Sequence, residues 1–452
     1  MRHLRRFAFG AARCETMRPR TESPEAVVPA SDRGVRGGLF TLVQVLPFDR
    51  IFDRILPTEP DSPQAWTIAF AAFVSMFTTF GLVYSFGAFV KPMSAEFHSS
   101  RAAISAVFSI TAFIYFIFGA AAGHISDRIG PRPVIVASAL FMGTGLVLTS
   151  RIDHLWLSYL TYGIGVGLGV ACGYAPMVAV VSGWFVRRRN TALGIAVSGI
   201  GFGTIVGAPL AAKCIPLYGW RATYVLFGML SASLLLLAAA LAKRPPIARG
   251  KSGTTTGEAL RTPAFLLLYA SSFLCSVPLF VPFVFLPAFA RDLGVSAVSS
   301  AALIGVIGIG SVCGRLCLGA LADRLGLIGL YLLCFLLQAL SYLIWLGAHS
   351  YLTLVIFALV IGTGYGGYSA LAPTVLAQFF GTRNLGALVG TLYTSNAFGT
   401  LIGPPLAGLI IDRTGGYRWA IAAAFAMATA ALLVLLPLPN CELPDPVPQK
   451  IG

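Results

Sequence analysis

From about residue 65 the chain alternates long apolar runs with short polar gaps. A helix crossing a hydrocarbon core of roughly 30 Å needs about 20 mainly apolar residues. Runs of that kind are centred near residues 78, 111, 141, 169, 202, 232, 277, 308, 338, 364, 398 and 428. Lipid offers no partner to a backbone N–H or C=O, so runs of this length cross it as helices, which satisfy their own groups. The pattern predicts an all-α, polytopic membrane protein with twelve transmembrane helices. The gaps are too short to house an aqueous domain with separate chemistry.

One gap breaks the rhythm. Residues 243–263 read KRPPIARGKSGTTTGEALRTP, polar, basic and interrupted by Pro and Gly. This stretch divides six runs from six, which makes it a cytoplasmic linker between an N-terminal half at 65–242 and a C-terminal half at 264–438. Ahead of them, residues 1–64 are polar and rich in Arg and Pro and lack the apolar core of a secretory signal. They read as a basic tail, disordered or lying on the membrane surface. Residues 439–452 form a second, short tail.

The halves repeat one another at a nearly constant offset. Gly123, Asp127, Arg128 and Gly130 (GHISDRIG) recur as Gly319, Asp323, Arg324 and Gly326 (GALADRLG) with identical spacing. Arg189-Asn190 matches Arg383-Asn384, GAPLA at Gly207 matches GPPLA at Gly403, and Gly219-Trp220-Arg221 matches Gly416-Tyr417-Arg418. Chance gives one such match, not four in register. Two similar six-helix halves imply a pseudo-two-fold axis along the membrane normal and a site between them near mid-membrane.

Composition and charge agree with this reading. Hydrophobic residues make up 57% of the 452 and charged residues only 11%, and the mean hydropathy is +0.81. A water-soluble chain of this length needs far more charge on its surface. The formal net charge of +15 suggests nucleic acid, but its distribution argues otherwise: ten arginines lie in the first sixty residues and most others sit in the short gaps. Basic residues so placed face an anionic cytoplasmic leaflet, with membrane lipid rather than nucleic acid as the partner. They put both termini in the cytoplasm, in an inner or plasma membrane. The eight cysteines are scattered, and Cys313 and Cys317, one turn apart, have no further Cys or His nearby in sequence. No metal or cofactor is expected. GIGVGLG in helix 4 fits G-x-G-x-x-G loosely, but no strand precedes it, so it is no nucleotide loop.

Twelve spans, two halves, a basic central loop and a repeated G-x-x-x-D-R-x-G resemble the major facilitator superfamily over about Ala65 to Leu438. Three stretches are similar to its monocarboxylate-transporter and oxalate/formate-antiporter branch: YSFGAFVKPMSAEF at Tyr84–Phe97, WFVRRRNTALGIAVSGIGFG at Trp184–Gly203, and SVCGRLCLGALADR around Arg315. The resemblance implies secondary or facilitative transport by rocker-switch alternating access, with Arg315 where the branch keeps a substrate-binding arginine and Tyr365 where it places an aromatic residue. Where animal members carry a helix 8 aspartate, Ser311 stands here. Tyr84 stands near a helix 1 lysine that some of them use. Near the helix 11 lysine of the oxalate transporters there is no basic residue, only Asn396.

The residues themselves point the same way. An arginine at the centre of a span costs from about 2.5 kcal/mol to several times that, so it is retained where it meets a wet cavity or an anion. A guanidinium matches a carboxylate with two parallel hydrogen bonds. The plain alternatives for Arg315 are snorkelling or pairing with a carbonyl of helix 7 or 10. No Asp, Glu or His falls in the middle of a span; Glu96, Asp127, Asp153, Asp292, Asp323 and Asp412 all sit at helix ends. A side-chain proton relay has no evident carrier, which favours uniport or exchange of a small organic anion, a mono- or dicarboxylate. Tyr84, Tyr174, Tyr365 and Asn396 are the secondary candidates for the cavity, each also explicable by packing. Asp127, Arg128 and Arg132, and Asp323 and Arg324 in the repeat, are candidate gating residues, with Asp127 expected against the start of helix 11 and Asp323 against helix 5. A membrane enzyme lacks the clustered titratable groups it needs. The remaining readings are export of drugs or other amphiphiles and a transport-dead receptor. A monomer suffices for any transport reading.

Overall fold

The structure, a computed structural model, describes residues 59–245, 256–381 and 385–440, except for the side chains at 189, 190, 256, 319, 320, 323–325 and 440. Almost all of the N-terminal tail, half of the linker, the C-terminal tail and the side chains of Asp323 and Arg324 therefore lie outside the described residues. No strand occurs among the described residues.

Among the described residues, twelve long helices follow the expected runs. They are α1 (Pro63–Phe97), α2 (Arg101–Ile129), α3 (Pro131–Thr149), α4 (Leu155–Trp184), α5 (residues 189–218), α6 (residues 220–241), α7 (Pro263–Asp292), α8 (Ala297–Leu325), α9 (Leu327–Leu346), α10 (Tyr351–Phe380), α11 (Leu385–Thr414) and α12 (Arg418–Leu435). Helices α5 and α6 run into each other and are separated only by Gly219, whose φ of 80° no side-chain-bearing residue adopts without strain. Large apolar side chains such as Leu140, Leu148, Met229, Leu352 and Leu433 stand more than half exposed on the outside of the helices, as lipid-facing residues do.

The repeat seen in the sequence is also a repeat of geometry. Gly130 and Gly326 both take positive φ, 97° and 88°, and make the same tight turn after α2 and after α8. The 196-residue offset that relates Gly123 to Gly319 also relates the breaks in α1 and α7. Helix α1 bends at Tyr84–Ser85, where the Ser85 hydroxyl donates to the Leu82 carbonyl, and α7 bends at Phe280, between Pro278 and Pro282. A proline within a helix removes a donor and crowds the preceding turn, which fixes the second bend. Inside each half the pairings correspond: α1 lies along α5 as α7 lies along α11, α2 along α4 as α8 along α10, and α3 along α6 as α9 along α12. Glycines permit these approaches. A Cβ at Gly207 would strike the Gly81 carbonyl, and one at its counterpart Gly403 would strike the Val277 carbonyl.

The halves meet through α2 against α11 and α5 against α8. Contact is tight at the end that carries Lys91. There Lys91 Nζ lies 2.6 Å from Asp292 Oδ1, the Ala102 N–H donates to Asp412 at 3.3 Å, and Gly408 packs on the Arg101–Ala102 backbone. Toward the opposite end Gly390 approaches Ala120 and Gly194 approaches Leu316. Beyond them, a Cβ at Gly123 or Gly386 would meet nothing within 4 Å, and Asp127 and Arg128 are exposed. The halves are thus closed against each other at the Lys91 end.

Candidate functional site

The bends in α1 and α7 place Tyr84, Phe280 and Phe283 at the level of Arg315 on α8 and Tyr365 on α10. Arg315 is half-buried. Its Nε donates to the Ser369 hydroxyl on α10 at 3.2 Å, one terminal nitrogen donates to the Val197 carbonyl on α5 at 3.4 Å, and the guanidinium carbon lies 5.8 Å from the centre of the Tyr365 ring. Two of its five N–H donors are therefore engaged, one of them by the other half. Both partners are neutral, and no carboxylate of the described residues pairs with it. The carbonyl comes from helix 5 rather than from helix 7 or 10.

Tyr365 binds across the halves as well: its hydroxyl lies 3.3 Å from that of Tyr84. Around them the rings interlock. Tyr84 packs on Phe283 at 4.4 Å and Phe80 at 5.5 Å, Phe80 meets Tyr174 at 5.2 Å and Tyr115 at 5.8 Å, and Phe280 meets both Tyr365 and Phe116. Tyr84, Tyr174 and Tyr393 all lie within electrostatic reach of Arg315. Edge-to-face and offset pairs of this kind each contribute about 0.5–1.5 kcal/mol beyond the area they bury. The arrangement is a cationic fork set in an aromatic wall.

Three of the four secondary candidates thus surround Arg315. The fourth does not: Asn396 accepts from the Tyr368 hydroxyl at 3.2 Å, and both are buried in the packing of the C-terminal half. Sequence reasoning passed over Tyr115, Tyr393 and Ser369. Tyr115 is the most informative of them, because its buried hydroxyl lies beside that of Tyr84 and within electrostatic reach of Tyr174 and Tyr365. Ser311, where the resembling family carries an aspartate, is buried against Gly366 of α10, with its hydroxyl unpaired.

Of the gating candidates, Arg132 donates to the Ala239 and Ala240 carbonyls at 3.2 and 3.0 Å, capping the end of α6 in its own half. The Arg128 carbonyl accepts from Arg244 at 3.1 Å. These bonds tie the α2–α3 turn to the end of α6. Asn384, part of the expected partner of Asp127 on helix 11, lies outside the described residues. On the same face Asp61 accepts three backbone N–H groups, from Val186, Arg187 and Arg188, and the Arg187 amide foremost holds its carboxyl below the usual aspartate range.

At the Lys91 end each half closes on an acid. Glu96 accepts from Trp220 Nε1 and from Arg221 at 2.6 Å, all within the N-terminal half. Asp292, at the equivalent position, accepts from the Tyr417 hydroxyl at 2.9 Å within its own half and from Lys91 of the other. The Lys91 and Asp292 side chains are 35% and 44% exposed, so their bond is worth about 0–1 kcal/mol.

Twelve helices in two equivalent halves, enclosing a polar site that both halves build at mid-span, define a multi-pass membrane transporter. Residues 68–341 and 316–450 each match the family model described as Major Facilitator Superfamily. The chain is 30% identical to monocarboxylate transporter 13 of Bos taurus over 402 residues, 87% of this chain and 94% of the relative. It is 26% identical to MFS-type transporter 1 of an Ophiocordyceps species over 78% of this chain and 80% of that one. Among solved structures, a bacterial homolog of the human lysosomal transporter Spinster, in an inward-facing and unoccupied conformation, superposes with a TM-score of 0.67 at 16% identity, over 84% of this chain and 98% of that one. The chain belongs to the Major Facilitator Superfamily and is similar within it to the monocarboxylate transporters.

Proposed function

We propose that the protein carries a small organic anion, a mono- or dicarboxylate, across a cell membrane by alternating access between its two halves. The observation that carries this reading is Arg315: a guanidinium at mid-span, held by neutral partners from both halves, with donors to spare and no carboxylate of the described residues beside it. A substrate carboxylate 4 Å away at an effective dielectric of 20 contributes roughly 4 kcal/mol before desolvation. Its apolar body packs on the wall of Tyr84, Tyr174, Tyr365 and the neighbouring phenylalanines. The similarity to monocarboxylate transporter 13 over most of both chains supports the same substrate class.

Both termini lie in the cytoplasm, so the Lys91 end faces outward and the Asp127 end inward. The conformation described here is then closed to the outside. Asp127, Arg128 and Arg132, with Asp323 and Arg324 in the repeat, act at the inner end as the switch between closed and open states. Monomers suffice, because each contains the whole site. The aromatic wall also favours a second reading, export of an amphiphilic solute, in which Arg315 only packs.

Uptake of radiolabelled formate, lactate, pyruvate, oxalate, malonate and benzoate into proteoliposomes, each with and without internal anion and a pH gradient, tests the substrate class. Saturable uptake of at least one acid supports it, and the gradient dependence gives the coupling. A folded protein that moves none of them, but moves neutral or amphiphilic solutes, overturns it.

A further inference from the structure

Lys91 stands between two shallow cavities at the closed end, one of about 220 Å³ and one of about 330 Å³. Arg291 lines the first with it and Arg101 the second. No acid lines either cavity. Three cations thus sit around a single exchangeable bond, the exposed bridge from Lys91 to Asp292. Asp292 keeps the Tyr417 hydroxyl as a partner if Lys91 leaves. Among the described residues Lys91 has no such second partner, so it is free to take a new anion whenever the halves part at this end. The two halves differ here. Glu96 is satisfied by Trp220 and Arg221 of its own half, whereas Asp292 borrows its cation from the other half.

We propose that Lys91, flanked by Arg101 and Arg291, is an outer capture site for the carboxylate of the transported anion, and that the substrate takes the place of Asp292 on Lys91 when this end opens. This rests on the organic-anion reading above and on the outward placement of the Lys91 end. The site lies on the path toward Arg315 and is distinct from it: Lys91 follows Tyr84 by two helical turns, about 10 Å along α1. An exposed bridge is weak, and a small carboxylate competes with Asp292 on nearly equal terms. Converging cations at the mouth of a low-dielectric passage also raise the local concentration of anions.

Lys91→Gln and Asp292→Asn separate capture from mere latching, because both break the same bridge. A latch predicts that the two variants shift transport in the same direction. Capture predicts opposite shifts in the ratio of the KM measured from outside to that measured from inside. That ratio rises about tenfold in Lys91→Gln, the equivalent of one charge-assisted hydrogen bond, and falls in Asp292→Asn, where Lys91 is released to the substrate. The exchanged pair, Lys91→Asp with Asp292→Lys, restores a bridge but moves the cation to α7; capture keeps its ratio raised, and a latch returns it to the parent value. Parallel shifts in the single variants, or a parent-like exchanged pair, overturn the capture site and leave the organic-anion reading standing. A parent that moves no carboxylate overturns that reading, and the capture site with it.

Discussion

The two halves share a frame and differ in chemistry. Helix pairings, the bends in α1 and α7, the turns at Gly130 and Gly326 and the glycine contacts at Gly207 and Gly403 all occur twice. The polar features of the site occur once. The position in the N-terminal half that corresponds to Arg315 is Gly119, and the one that corresponds to Phe280 is Tyr84. On the alternating-access reading proposed above, duplication supplies the parts that move, a symmetric pair of bundles rocking about a shared centre. Arg315, the charge proposed to bind the substrate, belongs to one half, and the other half contributes the Val197 carbonyl and the Tyr84 hydroxyl opposite it. A site built this way senses the separation of the halves directly.

The largest effect is expected from moving the charge across this divide. A Cβ at Gly119 meets only Ala175, at 3.7 Å, so the N-terminal half has room for a side chain there. Combining Arg315→Gly with Gly119→Arg keeps the net charge, yet it leaves Ser369 and Tyr365 without the guanidinium. Uptake in proteoliposomes is expected to stay at least a hundredfold below the parent; recovery would make the two halves interchangeable and break the comparison. Next come the duplicated glycines. Gly207→Ala and Gly403→Ala each drive a methyl into a backbone carbonyl and are expected to cost about 1–3 kcal/mol. Melting temperatures in detergent check this, and similar losses in both variants support equivalent mechanical roles.

A smaller effect is expected at the acids. Glu96→Gln removes a charged partner of Arg221, partly exposed, and is expected to lower stability by about 0.5–1 kcal/mol. Its outside KM is expected to stay within about twofold of the parent, in contrast to Asp292→Asn. The smallest effect concerns pH. The Asp61 carboxyl is held below its ordinary value of 3.8, chiefly by the Arg187 amide. Its contribution to stability is therefore fully present above the ordinary value and is lost as the pH falls through the lowered one. The difference in melting temperature between parent and Asp61→Asn is expected to hold from pH 7 to about 5 and to shrink below about 4.

Much of this was legible in the sequence, and for identifiable reasons. Apolar runs of one span's length fix helices, and a repeat at constant offset fixes two halves. A glycine after Asp-Arg fixes the turn that Gly130 and Gly326 both make. Arg315 stood out because a charge at mid-span is costly wherever it is not used. Periodicity, however, places residues along a helix and leaves its rotation open. Tyr115 and Tyr393 were two tyrosines among fifteen, and only packing brings Tyr393 to the arginine and Tyr115 to the tyrosines around it. Asn396 looked equally suited, and packing turns it to Tyr368 instead. Glu96 and Asp292 read as helix-end acids, although the 196-residue offset that links them was already present in Gly123 and Gly319. Extending the repeat from motifs to single charged residues exposes that pair from sequence alone.

Arg315→Ala, compared with the parent at equal folded protein in the same proteoliposomes, tests the central assignment most directly. With the acid that the parent takes up fastest, initial uptake is expected to fall at least a hundredfold, while the melting temperature without substrate changes by only a few degrees. The added acid is expected to stabilise the parent and not the variant. Uptake within a few-fold of the parent, or equal stabilisation of both proteins by the acid, would contradict a carboxylate bound by Arg315.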